Sequence, residues 1–311
     1  MTPSSPYNGR KVLVTGATGF IGSHLCQHLL RDGAKVHGTG RQIPPDAAAA
    51  VQWKRGDLAD PVFVDKLFAE VQPEFVFHLA GHVVGARDIA QVGPTFRDIL
   101  AATVNVLQSA TSHGKPRLIL TGSMEEPDPG EGAVIPSSPY AAAKSACTGY
   151  ASMFHALYEL PVVNARVFMV YGPGQRDVRK LVPYVTLALL RGEAPQLSGG
   201  ERLVDWVYVD DVVEGLCALG CRPGLEGGRF DLGTGNPVPV RDVVLELVRI
   251  IEPAVQPQFG AIADRPMEQI RKANVAATTQ ATGWAPRTSL EDGLRATVRW
   301  YSEHAKRDSQ P

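Results

Sequence analysis

Apolar positions along the first half of the chain fall into two alternating patterns. Short uninterrupted apolar runs at Lys11–Thr15, 35–39, 75–79, 117–121 and 162–168 read as strands. Their apolar residues are continuous rather than every second one, as expected of strands covered on both faces. Between them lie stretches of helical periodicity, the first over 23–31 and stopped by Asp32-Gly33. Strand–helix–strand repetition implies right-handed crossovers and a doubly wound parallel sheet of the α/β class. Beyond residue 171 the rhythm breaks at Gly172-Pro-Gly174, at 192–200 and at 253–266. Helices are still expected over Val240–Ile251 and 289–304, which points to a smaller C-terminal lobe.

Composition narrows the function classes. The 311 residues are 44% hydrophobic and 20% charged, with a formal net charge of -1. That is ordinary globular composition without the basic footprint of a nucleic-acid binder. Four scattered cysteines, Cys26, Cys147, Cys217 and Cys221, form no C-x-x-C pair and suggest neither a disulfide framework nor a cysteine zinc site. The opening MTPSSPYNGR has no apolar core of signal-peptide length, and no run reaches bilayer-spanning length. A soluble, cytoplasmic protein without membrane partners is expected.

The sharpest local signal is TGATGFIG, running from Thr15 through Gly22 between the first strand and first helix. Gly16 permits a tight turn, Gly19 lets backbone approach a pyrophosphate, and Gly22 allows close helix packing. The helix N-terminus then presents amides and a positive dipole end to phosphate. In this context the spacing implies dinucleotide binding and a Rossmann-type sheet. The second strand ends in Gly38-Thr-Gly-Arg41, where an NAD site usually carries a carboxylate. Arg41 suits a 2'-phosphate, so NADP is favoured and NAD remains open. Asp57, followed by Leu58, is placed either to meet the adenine amino group or to cap a helix.

Ser138-Pro-Tyr-Ala-Ala-Ala-Lys144 sets Tyr140 and Lys144 one helical turn apart, after a strand ending Leu120-Thr-Gly-Ser123. An ammonium beside a phenol is expected to lower its pKa and ready it for proton transfer. With these residues in this order the chain resembles the extended short-chain dehydrogenase/reductase family, which includes nucleotide-sugar epimerases, dehydratases and 4-ketoreductases. The resemblance spans nearly the whole chain through TGATGFIG, FHLAG (77–81), PYAAAK (139–144), ARVFMVYGPGQ (165–175), DWVYVDDVVEG (205–215) and RPMEQIRKANVAATTQATGW (265–284).

The resemblance implies that Tyr140 exchanges the proton on sugar oxygen O4. Lys144 would hold the nicotinamide ribose, and Ser123 would bond the same oxygen as Tyr140. It also implies dinucleotide contacts from Gly16, Thr18, Gly19, Phe20, Ile21 and Gly22, and from Leu79 and Ala80. A dinucleotide-binding domain over 8–171 with 204–233 and a substrate-binding lobe over 172–203 with 234–311 follow. Glu125 stands in register with the acid of the 4,6-dehydratases, whereas Met124 replaces their polar partner. The Ser-x-Glu-Glu run is similar to 4-ketoreductases, although Glu125 and Glu126 also read as the start of a solvated acidic loop over 125–131. NADPH-dependent reduction of a nucleotide-linked 4-keto-6-deoxyhexose is the favoured reading, with dehydratase or epimerase chemistry as the alternative and a non-catalytic dinucleotide sensor more distant.

Substrate contacts are expected from Arg202, which takes the place of the family arginine at Val204, and from the late clamp Arg265. Met169 stands where the family offers asparagine, and Ile99 replaces another family asparagine. His24 and His28, four apart, lack the glutamate of a metalloprotease helix, so no metal is expected. Without a G-x-S-x-G elbow a serine hydrolase is unsupported. The alanines of the Tyr140 helix permit close helix approach, and homodimerisation is expected.

Overall fold

The structure is a computed structural model that describes residues 5–45, 47–127, 135–264, 267–268 and 270–308, with side chains as far as His304. The chain divides into two compact units. The first comprises Met1–Val167, Val213–Asp231 and Ala277–Trp284; the second comprises Phe168–Val212, Leu232–Ala276 and Ala285–Pro311.

Among the described residues the first unit is organised by a seven-stranded sheet. Its strands in chain order are β1 (Lys11–Thr15), β2 (Lys35–Gly40), β3 (Gln52–Arg55), β4 (Phe75–His78), β5 (Arg117–Ser123), β6 (Val162–Val167) and Arg229–Leu232. In space the order is Arg229–Leu232, β6, β5, β4, β1, β2, β3. The β1–β2, β1–β4, β2–β3, β4–β5 and β5–β6 pairs are all parallel. Strand order reverses between β1 and β4, and the carboxyl ends of strands at such a reversal are where open α/β sheets bind ligands. The continuous apolar runs predicted this: Val12, Leu13, Val14, Val76, Phe77, Leu118, Ile119 and Leu120 are all buried.

Helix α1 (Phe20–Arg31) follows β1, and α2 (Pro61–Val71) follows β3. Pro61 fills the first helical position of α2, and Asp60 caps it by accepting the Val62 amide at 3.0 Å. Asp57 therefore does not cap that helix; it accepts the Ala59 amide at 3.0 Å instead. One face of the sheet packs on α2, on the 102–112 helix and on the Pro139–Tyr158 helix through Val64, Leu67, Phe68, Val106, Leu107, Cys147 and Phe154. Burying a side chain such as Leu107 or Phe68 stabilises the fold by about 1.5–3 kcal/mol.

The 102–112 helix is entered through a π-helical stretch, Phe96–Ala101. Ile99 within it is completely buried, so the residue that replaces the family asparagine is part of the core.

The second unit has its own core of Tyr171, Val182, Val185, Leu189, Val204, Trp206, Val244, Leu247 and Leu294. Two parallel short strands, Met169–Tyr171 and Trp206–Tyr208, lie side by side there. Helices Leu181–Leu190, Val240–Ile251 and Leu290–Asp308 supply most of the rest. No described helix is long and apolar enough to cross a membrane.

Candidate active site

The glycine loop leaves β1 at Thr15. Gly16 adopts φ +68, and a side chain there would fall 2.7 Å from the Ala80 amide nitrogen and 2.9 Å from Leu79. The loop thus nests against the end of β4, where the Leu79 amide donates to the Thr15 carbonyl at 3.2 Å. A Cβ on Gly22 would stand 2.1 Å from the Gly16 carbonyl oxygen, so its missing side chain lets α1 close on the loop itself rather than on a strand. Thr18 abuts Gly40, whose Cβ would meet the Thr18 hydroxyl at 3.1 Å. Helix α1 begins at Phe20, three residues before the position the sequence predicts, because Gly22 sits inside its first turn. No side chain caps it at Gly19, which leaves the first-turn amides of Phe20, Ile21 and Gly22 directed at whatever anion the turn receives.

His78 anchors this end of the sheet. Its Nδ1 bonds the Thr15 hydroxyl at 2.7 Å, its Nε2 bonds the Thr103 hydroxyl at 3.0 Å, and its carbonyl accepts from Thr121 at 2.9 Å. Burial, and then the Lys144 charge, push its pKa down to about 3, so it is a neutral strut. His82 bonds Gln91 at 3.0 Å, and no group of metal-ligating side chains exists among the described residues.

Beside the loop lies an open cleft lined by Thr39, Gly40, Arg41, Gly56, Asp57, Leu58, Ala80, Gly81, Asp98 and Ala102. It gathers four residues predicted from sequence, Arg41, Asp57, Leu58 and Ala80. It also contains a charge network that the sequence reading missed. Arg41 donates to Asp98 at 2.7 Å, Arg97 donates to Asp98 at 2.7 Å, and Arg97 also pairs with Asp57. Burial raises the Asp57 pKa, but the Ala59 amide and Arg97 outweigh it and hold the carboxyl below its usual range. A glycine cradle that any Cβ would fill, uncapped amides and this polar cleft together fit a dinucleotide.

The residues expected from sequence to carry proton transfer stand at the carboxyl end of β5. Ser138 caps the Pro139–Tyr158 helix by accepting the Ala141 amide at 3.1 Å, with Pro139 in its first turn. Tyr140 and Lys144 project from one face of that helix and are buried. The Ser123 hydroxyl lies near enough to the Tyr140 hydroxyl to lower the phenol's pKa. The Lys144 ammonium donates to the Thr121 carbonyl at 2.7 Å. Glu125 accepts from the Ser138 hydroxyl at 3.4 Å, while its amide donates to the Ser123 hydroxyl at 3.2 Å. Ser123, Tyr140, Lys144 and Glu125 are thus brought together. Met124 is buried, with no polar function.

One electrostatic expectation is overturned. Burial pushes the Tyr140 phenol above the ordinary tyrosine range; Glu125, Glu126 and Cys147 add to the rise, and only the Ser123 hydroxyl opposes it. Burial likewise lowers the Lys144 pKa, against the pull of Cys147 and Glu126. The Lys144 ammonium bonds the Thr121 carbonyl, and no lowering of the phenol's pKa by Lys144 offsets its burial.

The remaining candidates lie in the second unit or outside the described residues. Met169 is half-buried, its amide donating to the Asp205 carbonyl at 3.0 Å. Arg202 donates to Glu268 at 3.0 Å. Arg265 lies outside the described residues. Asp205, not singled out from sequence, is completely buried and accepts the amides of Thr234, Gly235 and Ala273 at 2.7, 2.9 and 3.0 Å.

The chain is similar to known proteins over most of its length. The family model of the NAD dependent epimerase/dehydratase family matches residues 12–233. A probable dTDP-glucose 4,6-dehydratase of Sinorhizobium fredii is 30% identical, over 94% of this chain and 93% of its own length. A UDP-glucose 4-epimerase of Mycolicibacterium smegmatis is also 30% identical, over 94% and 98%. The structure of the Thermus thermophilus UDP-glucose 4-epimerase in complex with NAD superimposes with a TM-score of 0.81 at 28% identity, covering 94% of this chain and 98% of that one.

Proposed function

We propose, from the premise that this chain belongs to the NAD dependent epimerase/dehydratase family within the extended short-chain dehydrogenases/reductases, that it reduces a nucleotide-activated 4-keto-6-deoxyhexose at C4. A bound nicotinamide dinucleotide supplies the hydride. Tyr140 gives its hydroxyl proton to the ketone oxygen as the carbonyl becomes an alcohol, and Ser123 donates a hydrogen bond to that oxygen as charge gathers on it. Lys144 holds the strand end through Thr121 and faces the ribose.

The observation that carries this direction is Arg41 in the cleft lining, since a cation there suits the 2'-phosphate of a cofactor consumed as a reductant. A buried phenol held above the ordinary tyrosine range is in keeping with a proton donor. NADP is the favoured cofactor because Arg41, seconded by Arg97, offers guanidinium groups at the cleft where a 2'-phosphate would sit.

A second reading is 4,6-dehydratase or 4-epimerase chemistry with NAD. It is supported by the activities of the relatives and by Glu125, which stands beside Ser123 and the helix cap. Asp98, paired with Arg41, would then serve the ribose hydroxyls.

We assign substrate recognition to the second unit, where Arg202 carries the cation for the diphosphate. Exposed Tyr150, Leu157 and Tyr158 on the Pro139–Tyr158 helix support a homodimer, and a single sedimenting monomer at micromolar concentration would contradict it. Free thiols in all four cysteines suit the reducing cytoplasm in which we place the protein.

The deciding experiment is incubation with a panel of nucleotide sugars and their 4-keto-6-deoxy derivatives, with NADPH or NADH. Net oxidation of NADPH with a 4-keto sugar supports the reductase. Conversion of a plain hexose with no net cofactor change establishes the second reading, and a protein that binds dinucleotide but converts nothing is a sensor.

A further inference from the structure

Glu126 touches no atom that reacts in the chemistry above, yet it is only 2% exposed. A carboxylate so buried is costly unless its oxygens are bonded, and packing alone would be met by an apolar residue. Both oxygens are bonded. One accepts the Ser123 amide at 2.6 Å and the other accepts the Thr148 hydroxyl at 2.8 Å. The Glu126 amide returns a bond to the Ser123 carbonyl at 3.1 Å, which closes a turn on the reacting serine. Space for this carboxylate is provided by Gly122, where a Cβ would lie 2.6 Å from the Glu126 oxygen.

Thr148 completes a pattern on the Pro139–Tyr158 helix. Tyr140, Lys144 and Thr148 follow at intervals of four and therefore share one helical face. Each meets the end of β5 or the turn after it: Lys144 bonds the Thr121 carbonyl, Thr148 bonds Glu126, and Tyr140 stands beside the Ser123 hydroxyl. The Thr148 rung touches no reacting atom.

We infer that Glu126 is a positioning residue, whose carboxylate, clamped between the Ser123 amide and the Thr148 hydroxyl, fixes the Ser123 hydroxyl against the Tyr140 hydroxyl for proton transfer. This rests on the assignment of Ser123 and Tyr140 in the proposed function. The charges facing Glu126 are Lys144 on the helix and Arg229 on the edge strand, and Glu126 in turn acts with Glu125 and Cys147 on Tyr140. Burial raises the Glu126 pKa, with Thr148, Ser123, Lys144 and Arg229 opposing the rise.

The test compares Glu126→Gln, which keeps the shape and an acceptor for the Ser123 amide, with Thr148→Val, which removes the distal rung and leaves the charge in place. Both should lower kcat by about tenfold or more while KM changes less than about twofold, because misplacement of reacting groups is felt in the transition state. Glu126→Gln alone should also move the pH limb governed by Tyr140 to lower pH. A second readout needs no turnover: the resonance of isotope-labelled Tyr140 in the dinucleotide-bound protein, assigned by its loss in Tyr140→Phe, should shift in both variants. Wild-type kcat and an unmoved Tyr140 resonance in both variants overturn the inference. So does a parallel fall in thermal stability and dinucleotide affinity with an unmoved pH profile and resonance, which marks a merely structural carboxylate. If the wild-type protein turns over no nucleotide sugar, the proposed function fails, and the Tyr140 resonance still decides the role of Glu126.

Discussion

The two ends of the dinucleotide site are built on opposite physical terms. At the β5 end, Ser123, Tyr140, Lys144 and Glu126 are all less than 9% exposed and held by hydrogen bonds to backbone and to one another. The cleft by β2 and β3 carries ion pairs whose arginine side chains, Arg41 and Arg97, are 59% and 53% exposed. Exposed pairs contribute only about 0–1 kcal/mol each and are screened by salt. Losing a partner from a buried network costs several times more. On the proposed function, the chemistry is fixed rigidly while cofactor preference is held loosely, and one should change with little effect on the other.

The comparison is tested most severely at Tyr140. Tyr140→Phe keeps the ring and should lower kcat by about 10²–10⁴ with dinucleotide affinity preserved, in line with general acid contributions. Measurable turnover near the wild-type rate would mean that the proton comes from elsewhere. The glycine cradle is the next test. Gly22→Ala forces a methyl to 2.1 Å from the Gly16 carbonyl and should weaken dinucleotide binding by roughly a hundredfold, read by calorimetric titration. Unchanged affinity would show that the loop does not hold the pyrophosphate.

His78 sharpens the contrast in a different way. Its pKa falls from the ordinary histidine value to about 3 in the folded protein, so the unfolded chain binds the extra proton first. The stability this gives is complete above the ordinary value, near 6.5, and is lost as pH falls towards 3. Over that window the loss should be on the order of 4 kcal/mol, visible as a drop in Tm on acidification. A flat Tm between those pH values would place the imidazole in water.

The smallest effect belongs to the exposed end. Arg41→Ala should reduce NADPH affinity by about tenfold and leave NADH affinity nearly unchanged, with a discrimination that fades at high salt. Equal loss for both cofactors would remove Arg41 from 2'-phosphate recognition.

Much of this was legible before any coordinates. Continuous apolar runs located β1, β2, β4, β5 and β6 within one or two residues, because strands buried on both faces leave no alternation to misread. The shared face of Tyr140 and Lys144 and the form of the glycine loop were legible because each depends on spacing along a single element. Arg229–Leu232 was missed: four residues of mixed character, RFDL, carry no periodic signal. Glu126 was read with Glu125 as the start of an acidic, solvated run. Its burial depends on the turn after β5 closing onto Ser123, and only the fold brings Thr148 to it. The same limit explains the phenol. Sequence spacing put an ammonium one turn from Tyr140, but the Thr121 carbonyl that claims that ammonium lies on a different element.

The central claim is that the Tyr140 phenol delivers its proton to the oxygen of a carbon that receives hydride from the bound dinucleotide. It is tested most directly by supplying NADPH deuterated at the transferable position with a nucleotide-linked 4-keto-6-deoxyhexose, then locating the label in the product. Deuterium at sugar C4 in a one-to-one ratio with oxidised cofactor, and its absence with Tyr140→Phe, is the expected result. An unlabelled C4, or labelling undiminished in Tyr140→Phe, would contradict the account.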